Sequence, residues 1–223
     1  QRGICIMGTI LASALISEMR EVLFDTVVPY RWSDKSFLTK LNNAQRFIVQ
    51  HVPKANVVND AFKLSAGVVQ SIPAGGNELV SLDFNMGTDG LTIGAPIRII
   101  TIEDLTSLIP DWTTATASSI VQYFMFNEKD PSHFYVYPPQ PASDQGYVKG
   151  PYSANPTDIA STDSAITLSD IFSNPMKMFA LYETLRLETD ALALQQAVGY
   201  YNACVMEIGR KDLVMKTYNP NRK

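Results

Sequence analysis

Arg31-Trp32-Ser33-Asp34, followed by Phe37, Leu38, Leu41, Ala44, Phe47, Ile48 and Val52, decides how this chain is read. Ser33 stands where a side-chain oxygen can accept from the unpaired N–H groups of a first helical turn. Asp34 adds negative charge at the positive end of the same helix. The apolar residues recur at i, i+3, i+4 and i+7, the spacing of one helix face. Pro53 ends the element, because the residue before a proline is pushed out of the α region. The pattern predicts a helix over Ser33–Val52, with Phe47 on its buried face and no catalytic signature.

A helix with one apolar face needs partners, and both chain ends offer them. Upstream, Ile10, Ala14, Leu15, Met19, Val22 and Leu23 predict a second helix over Ile10–Phe24. The small and apolar run from Gly3 to Ile16 resembles a leader core. However, Glu18, Arg20 and Glu21 follow it, and no run is long enough to span a bilayer, so a soluble helix is expected. Downstream, Asn174 can cap a helix that has Pro175 at its first position. Pro175–Asp190 and Ala191–Gly209 both carry wide apolar arcs, so all four segments are expected to share one bundle.

The middle of the chain loses the helical period near Leu64. Val68–Ile72 and Glu78–Leu82 flank the turn Pro73–Asn77 and read as a hairpin. Pro96–Thr101, Ile120–Phe126, His133–Tyr137 and Gly146–Gly150 read as further strands, with Pro138-Pro139 ending one of them. Ile102–Leu108 reads as a short helix capped by Thr101. The expected fold class is α+β: a helical bundle made from both ends with an inserted β-rich sandwich or barrel. The expected divisions are residues 1–62, 63–155 and 156–223, the last with an extended C-terminal tail.

Composition narrows the chemistry. The chain has 223 residues, 46% hydrophobic and 18% charged, with a formal charge of −4. That is a globular balance with no global reason to bind nucleic acid. Cys5 and Cys204 lie near opposite ends, which indicates neither a disulfide framework nor a zinc site and suits a reducing compartment. His51 and His133 are the only histidines, and no Gly-x-Ser-x-Gly elbow accompanies them. Ser132-His133 reads as a turn entering a strand. Glu103-Asp104 reads as the start of a helical turn, and Glu183, Glu188 and Asp190 as a solvated face with Arg186, rather than as glycosidase acid pairs. The glycines between Gly87 and Gly94 lack the lysine of a phosphate-binding loop. Asp83, Asp89 and Asp130 lack cation-loop spacing. No catalytic residue, cofactor or metal is expected.

Several landmarks in order resemble the head–tail adaptor (connector) family of tailed bacteriophages. They are Arg31-Trp32-Ser33-Asp34, Leu41-Asn42-Asn43-Ala44-Gln45-Arg46 with Pro53, and Gln70-Ser71-Ile72-Pro73-Ala74-Gly75. Pro110-Asp111-Trp112, Phe134-Tyr135-Val136-Tyr137-Pro138-Pro139, Met178–Tyr182 and Tyr200-Tyr201-Asn202 follow. The match spans roughly Val22 to Gly209, and its specificity lies in the collinear order. It implies an α+β structural virion protein at the head–tail interface, assembled in the host bacterial cytoplasm. It further implies a homo-oligomeric ring, usually dodecameric, held between the portal and a tail or nozzle protein, with no membrane partner. The ring would continue a channel for transient, non-specific passage of DNA, and a net-negative wall suits a conduit that must not grip phosphate.

A closed ring needs two different contact faces. Tyr123, Tyr135, Tyr137, Tyr147, Tyr152, Tyr200, Tyr201 and Tyr218 are candidates, about half of them expected in the core. The chain end is locally basic, with Arg210, Lys211, Lys216, Arg222 and Lys223 against Asp212. Lys211, Lys216, Tyr218, Arg222 and Lys223 are therefore candidate interaction residues. The competing expectation is a tail-associated glycan-binding or glycan-cleaving protein, with Trp32 and Trp112 as a stacking platform or a carboxylate pair as catalyst. Trp32, just before a helix cap, reads more simply as a packing staple.

Overall fold

A computed structural model describes residues 8–127 and 129–217, with side chains described as far as residue 210. The chain divides into two compact units, one formed by residues 56–155 and the other by the segments on either side.

The helical unit contains α1 (Ala12–Val22), α2 (Asp34–His51), α4 (Ser173–Leu185) and α5 (Ala191–Thr217). Ser33 caps α2 by accepting from Ser36 N–H at 3.3 Å. Phe37, Leu41, Ala44 and Ile48 are fully buried, as the helical period requires. They meet Leu15, Met19, Met176, Ala180, Leu181 and Cys204 in one core. Phe47 departs from expectation. It is only half-buried, at the core margin, stacked 4.3 Å from Phe179 and 4.2 Å from His51. Asn174 does not cap α4 either; that helix begins at Ser173, and Asn174 donates to Glu207 Oε2 at 2.7 Å. The backbone of α5 continues past Gly209 to Thr217.

The connecting stretch before α4 is fully employed. Its backbone carbonyls at Ser164 and Thr162 accept from Ala12 and Ser13 N–H, satisfying an α1 start that has no side-chain cap. The Asn42-Asn43-Ala44-Gln45-Arg46 run holds it from the other side. Gln45, fully buried, accepts from Thr167 N–H at 2.8 Å, while Asn42 bonds both backbone groups of Ile159 and Arg46 pairs with Asp158.

The β unit is a sandwich. β1 (Val57–Lys63), β3 (Gly76–Leu79), β4 (Phe84–Met86), β5 (Ile93–Pro96) and β9 (Tyr147–Ala154) form one sheet, with β9 pairing β1 on one edge and β4 and β3 on the other. The second sheet has the order β2 (Gly67–Ser71), β8 (His133–Gln140), β7 (Tyr123–Phe126), β6 (Arg98–Ile99), and β6 runs parallel to β7. Alternation along β8 sends Phe134 and Val136 into the core between the sheets. Tyr135 and Tyr137 go to the opposite face, against Trp112, Met125 and Leu105 of α3 (Ile102–Leu108).

Three expectations for this unit need correction. β2 and β3 do not form a hairpin; they join different sheets, pairing β8 and β9 respectively. Pro138-Pro139 does not end its strand, because β8 continues to Gln140. The prolines pass unharmed because the register with β2 jumps there, so the ladder asks no N–H of them. Val57–Lys63, which precedes the point near Leu64 where β-type runs are expected to begin, is itself a long strand. Gly150 marks where Val80–Ser81 crosses β9, for a Cβ there would meet the Ser81 carbonyl.

Candidate interaction surface

The helical unit carries an unusual surface loop, Leu23–Trp32, between α1 and α2. Its tip is apolar and open: Phe24 is 93% exposed, Val27 77% and Val28 72%. Phe24 also sits at φ +55°, a left-handed conformation that a bulky side chain adopts only under constraint.

The constraint is visible below it. Arg20, near the end of α1 and buried, donates to Asp25 Oδ2 at 2.6 Å, to the Trp32 carbonyl at 2.9 Å and to Asp34 Oδ1 at 2.8 Å. Asp25, also buried, accepts from Arg31 and Trp32 N–H. The Tyr30 ring covers the guanidinium at 3.7 Å. One cation thus gathers both ends of the loop, and a charge-assisted fork of this kind is directional enough to hold a backbone shape. Arg31 adds a more exposed tie, 2.6 Å to Glu188 in the turn between α4 and α5.

Beside the loop lies a groove of about 630 Å³ between Phe24 and Trp32 on one side and α5 on the other. Ala193, Gly199 and Ala203 leave room along the α5 wall, which Gln196 and Tyr200 also line. Leu192, Leu194, Val198, Val205 and Met206 of α5 are exposed as well. A helix buried along Ala197, Cys204 and Ile208 yet apolar elsewhere presents more surface than its own bundle covers.

The sequence-predicted candidates fall differently. Tyr152 is buried, and Tyr123, Tyr135, Tyr137, Tyr147, Tyr200 and Tyr201 are half-buried. The open apolar surface of the helical unit comes instead from the loop and α5. Part of its signal was available: Val27 and Val28 are apolar residues standing between the two predicted helices, whereas Phe24 is read as the end of the first, which stops at Val22. Lys211 and Lys216 lie on the α5 backbone, beyond the described side chains, and Tyr218, Arg222 and Lys223 lie outside the described residues.

The chemical alternatives meet geometry that argues against them. Ser132 Oγ and Asp130 Oδ2 approach the same ring nitrogen of His133, Nδ1, at 3.1 and 2.6 Å. A nucleophile–base–acid relay needs them on opposite nitrogens. Asp130 instead closes the turn into β8, and the bonds from Ser132 and His133 hold its carboxyl below the usual range. Glu183, Glu188 and Asp190 do not form one solvated face: Glu183 binds Asn43 and Arg186, Glu188 binds Arg31, and Asp190 accepts from Ala193 N–H at the start of α5. Trp112 is buried with its indole N–H on Thr106, so it offers no stacking face. Among the described residues no helix is long and apolar enough to cross a membrane.

Comparison with known proteins adds three findings. The sequence matches the SU10 adaptor protein family over residues 10–222. Among curated proteins no sequence matches. A chain in the structure titled "Neck of empty GTA particle computed with C6 symmetry" aligns over 86% of both chains at 16% identity. Its TM-score is 0.30, too loose a likeness to build on.

Proposed function

This chain belongs to the SU10 adaptor protein family, and on that premise we propose that it is the head–tail adaptor of a tailed bacteriophage. Copies join side to side in a ring, a dodecamer by analogy with such connectors, between the portal and a tail or nozzle protein. DNA passes through the ring without being gripped. The observation that carries this reading is the family match across nearly the whole chain. The supporting chemistry is the open apolar surface of the Leu23–Trp32 loop and α5, which suits a joining part. In this reading the protein is a part of the virion and is assembled in the cytoplasm of the host bacterium.

The basic C-terminal segment supplies a further contact in this reading. Lys211, Lys216, Tyr218, Arg222 and Lys223 contact the portal or the adjacent subunit. The test is deletion of residues 211–223. The shortened chain is expected to remain folded while virus yield collapses and DNA-filled heads accumulate without tails. Normal infectious yield from the truncated protein would remove the joining role of the segment. Absence of the intact protein from purified virions would overturn the adaptor reading itself.

A further inference from the structure

We infer that consecutive copies join through α5, with the groove beside the Leu23–Trp32 loop of one copy receiving the opposite flank of α5 from a second copy. The inference rests on the adaptor reading and names the surfaces that carry it out.

The geometry of α5 points to this pairing. At 100° per residue, Leu194, Val198 and Val205 fall within about 40° of one another and form a ridge with i, i+4 and i+11 spacing. All three are exposed. Ala193, Gln196, Gly199, Tyr200 and Ala203, which line the groove, centre on the other side of the buried stripe of Ala197, Cys204 and Ile208, roughly 180° from that ridge about the helix axis. One helix therefore presents an apolar ridge on one flank and, on the other, the wall of a groove whose apolar floor is edged by Arg31, Glu188, Asp190 and Gln196.

Two unlike, complementary faces on opposite flanks are what a heterologous, ring-closing contact requires; an isologous dimer would need a single self-complementary patch. The groove suits a helix ridge in shape. Gly199 weakens α5 relative to alanine, yet a Cβ at that position would meet nothing within 4 Å among the described residues. Its smallness lets a neighbouring helix approach closely. Phe24 forms the outer lip, held by the buried Arg20–Asp25 pair in a preorganised shape, so little ordering accompanies docking. Phe24 and Val22 at the groove and Leu194, Val198 and Val205 on the ridge are open apolar side chains from which a contact can be built, and a specific one must bury roughly 1,000 Å².

Two variants test the pairing: Phe24→Asp on the groove lip and Val198→Asp on the ridge. Both positions are exposed, so thermal melts should stay within a few degrees of the wild type, confirming that the fold is intact. Each variant alone is expected to lose rings, read by mass measurement and electron microscopy, with or without the purified portal present. Mixed in equal amounts they should form one-to-one pairs that cannot grow. The ridge of the Phe24→Asp copy still fits the groove of the Val198→Asp copy, while the reverse contact is broken. A photo-cross-linker at position 198 of the full chain should capture a peptide containing Leu23–Trp32 from a second copy. Rings from either variant, no pairs on mixing, or a 198-to-198 cross-link would overturn the inference while leaving the adaptor reading in place. Wild-type protein that makes no ring in solution or on the portal would overturn both.

Discussion

Arg20 shows how one residue can shape a surface it does not reach. It is buried and carries three hydrogen bonds to Asp25, Asp34 and the Trp32 carbonyl. Removing one partner from a buried pair leaves an uncompensated charge, so Arg20→Ala should destabilise the chain by about 3–5 kcal/mol. Arg20→Lys should recover little of that, since an ammonium cannot reproduce the fork. Denaturant unfolding measures both. Gln45 is a neutral counterpart: its buried amide serves Thr167 N–H, so Gln45→Ala should cost about 1–3 kcal/mol through the unpaired donor. Asp170 gives a pH signature. The Thr9 hydroxyl, with the Thr9 and Ile10 N–H groups, holds its carboxyl below the ordinary value. The tie between the start of the described chain and the lead into α4 is therefore complete above pH about 4. It is lost as acidity passes through the lower folded value. Asp170→Asn should flatten that acid limb, seen in melts across the acid range.

At the scale of elements, α2 is the clearest sequence signal, but its two phenylalanines differ. Phe37 is fully buried and Phe47 half-buried. Phe37→Ala should therefore cost about 3–5 kcal/mol, and Phe47→Ala distinctly less, about 1–3 kcal/mol. Equal losses in thermal unfolding would show that the margin packs as tightly as the centre. Periodicity could not rank them, because it reports which side of a helix faces inward and not how far along the partner helices extend. The hairpin expected of β2 and β3 fails for a related reason. A tight turn was legible, yet whether its flanking strands pair with each other depends on β8 and β9, which lie more than fifty residues further on.

For the molecule as a whole, the β unit is one continuous segment whose ends meet: Asn56 donates to the Ala154 carbonyl at 2.8 Å, and Ala154 N–H to the Asn56 carbonyl at 3.1 Å. It has its own core, centred on Phe134, Val136 and Val148. The fragment 56–155 expressed alone should therefore fold, with dispersed amide resonances and one cooperative unfolding transition. A collapsed spectrum would show that this core is insufficient by itself. The helical unit has no such fragment, because its core takes residues from both flanking segments.

The sequence by itself determined the helices, the α3 cap, the β character of the middle and the family resemblance. These rest on near-neighbour chemistry: periodic burial, capping oxygens and the order of short motifs. What those motifs do was decided by tertiary structure. Asn42, Gln45 and Arg46 hold a connecting stretch more than a hundred residues away, and Gln70 closes the corner between β1 and β2 through Ser65 and Gly67. The candidate surface was decided there too. The described candidate tyrosines are half-buried or, at Tyr152, buried, and Phe24 is left open, because exposure depends on which distant segments happen to pack over a residue.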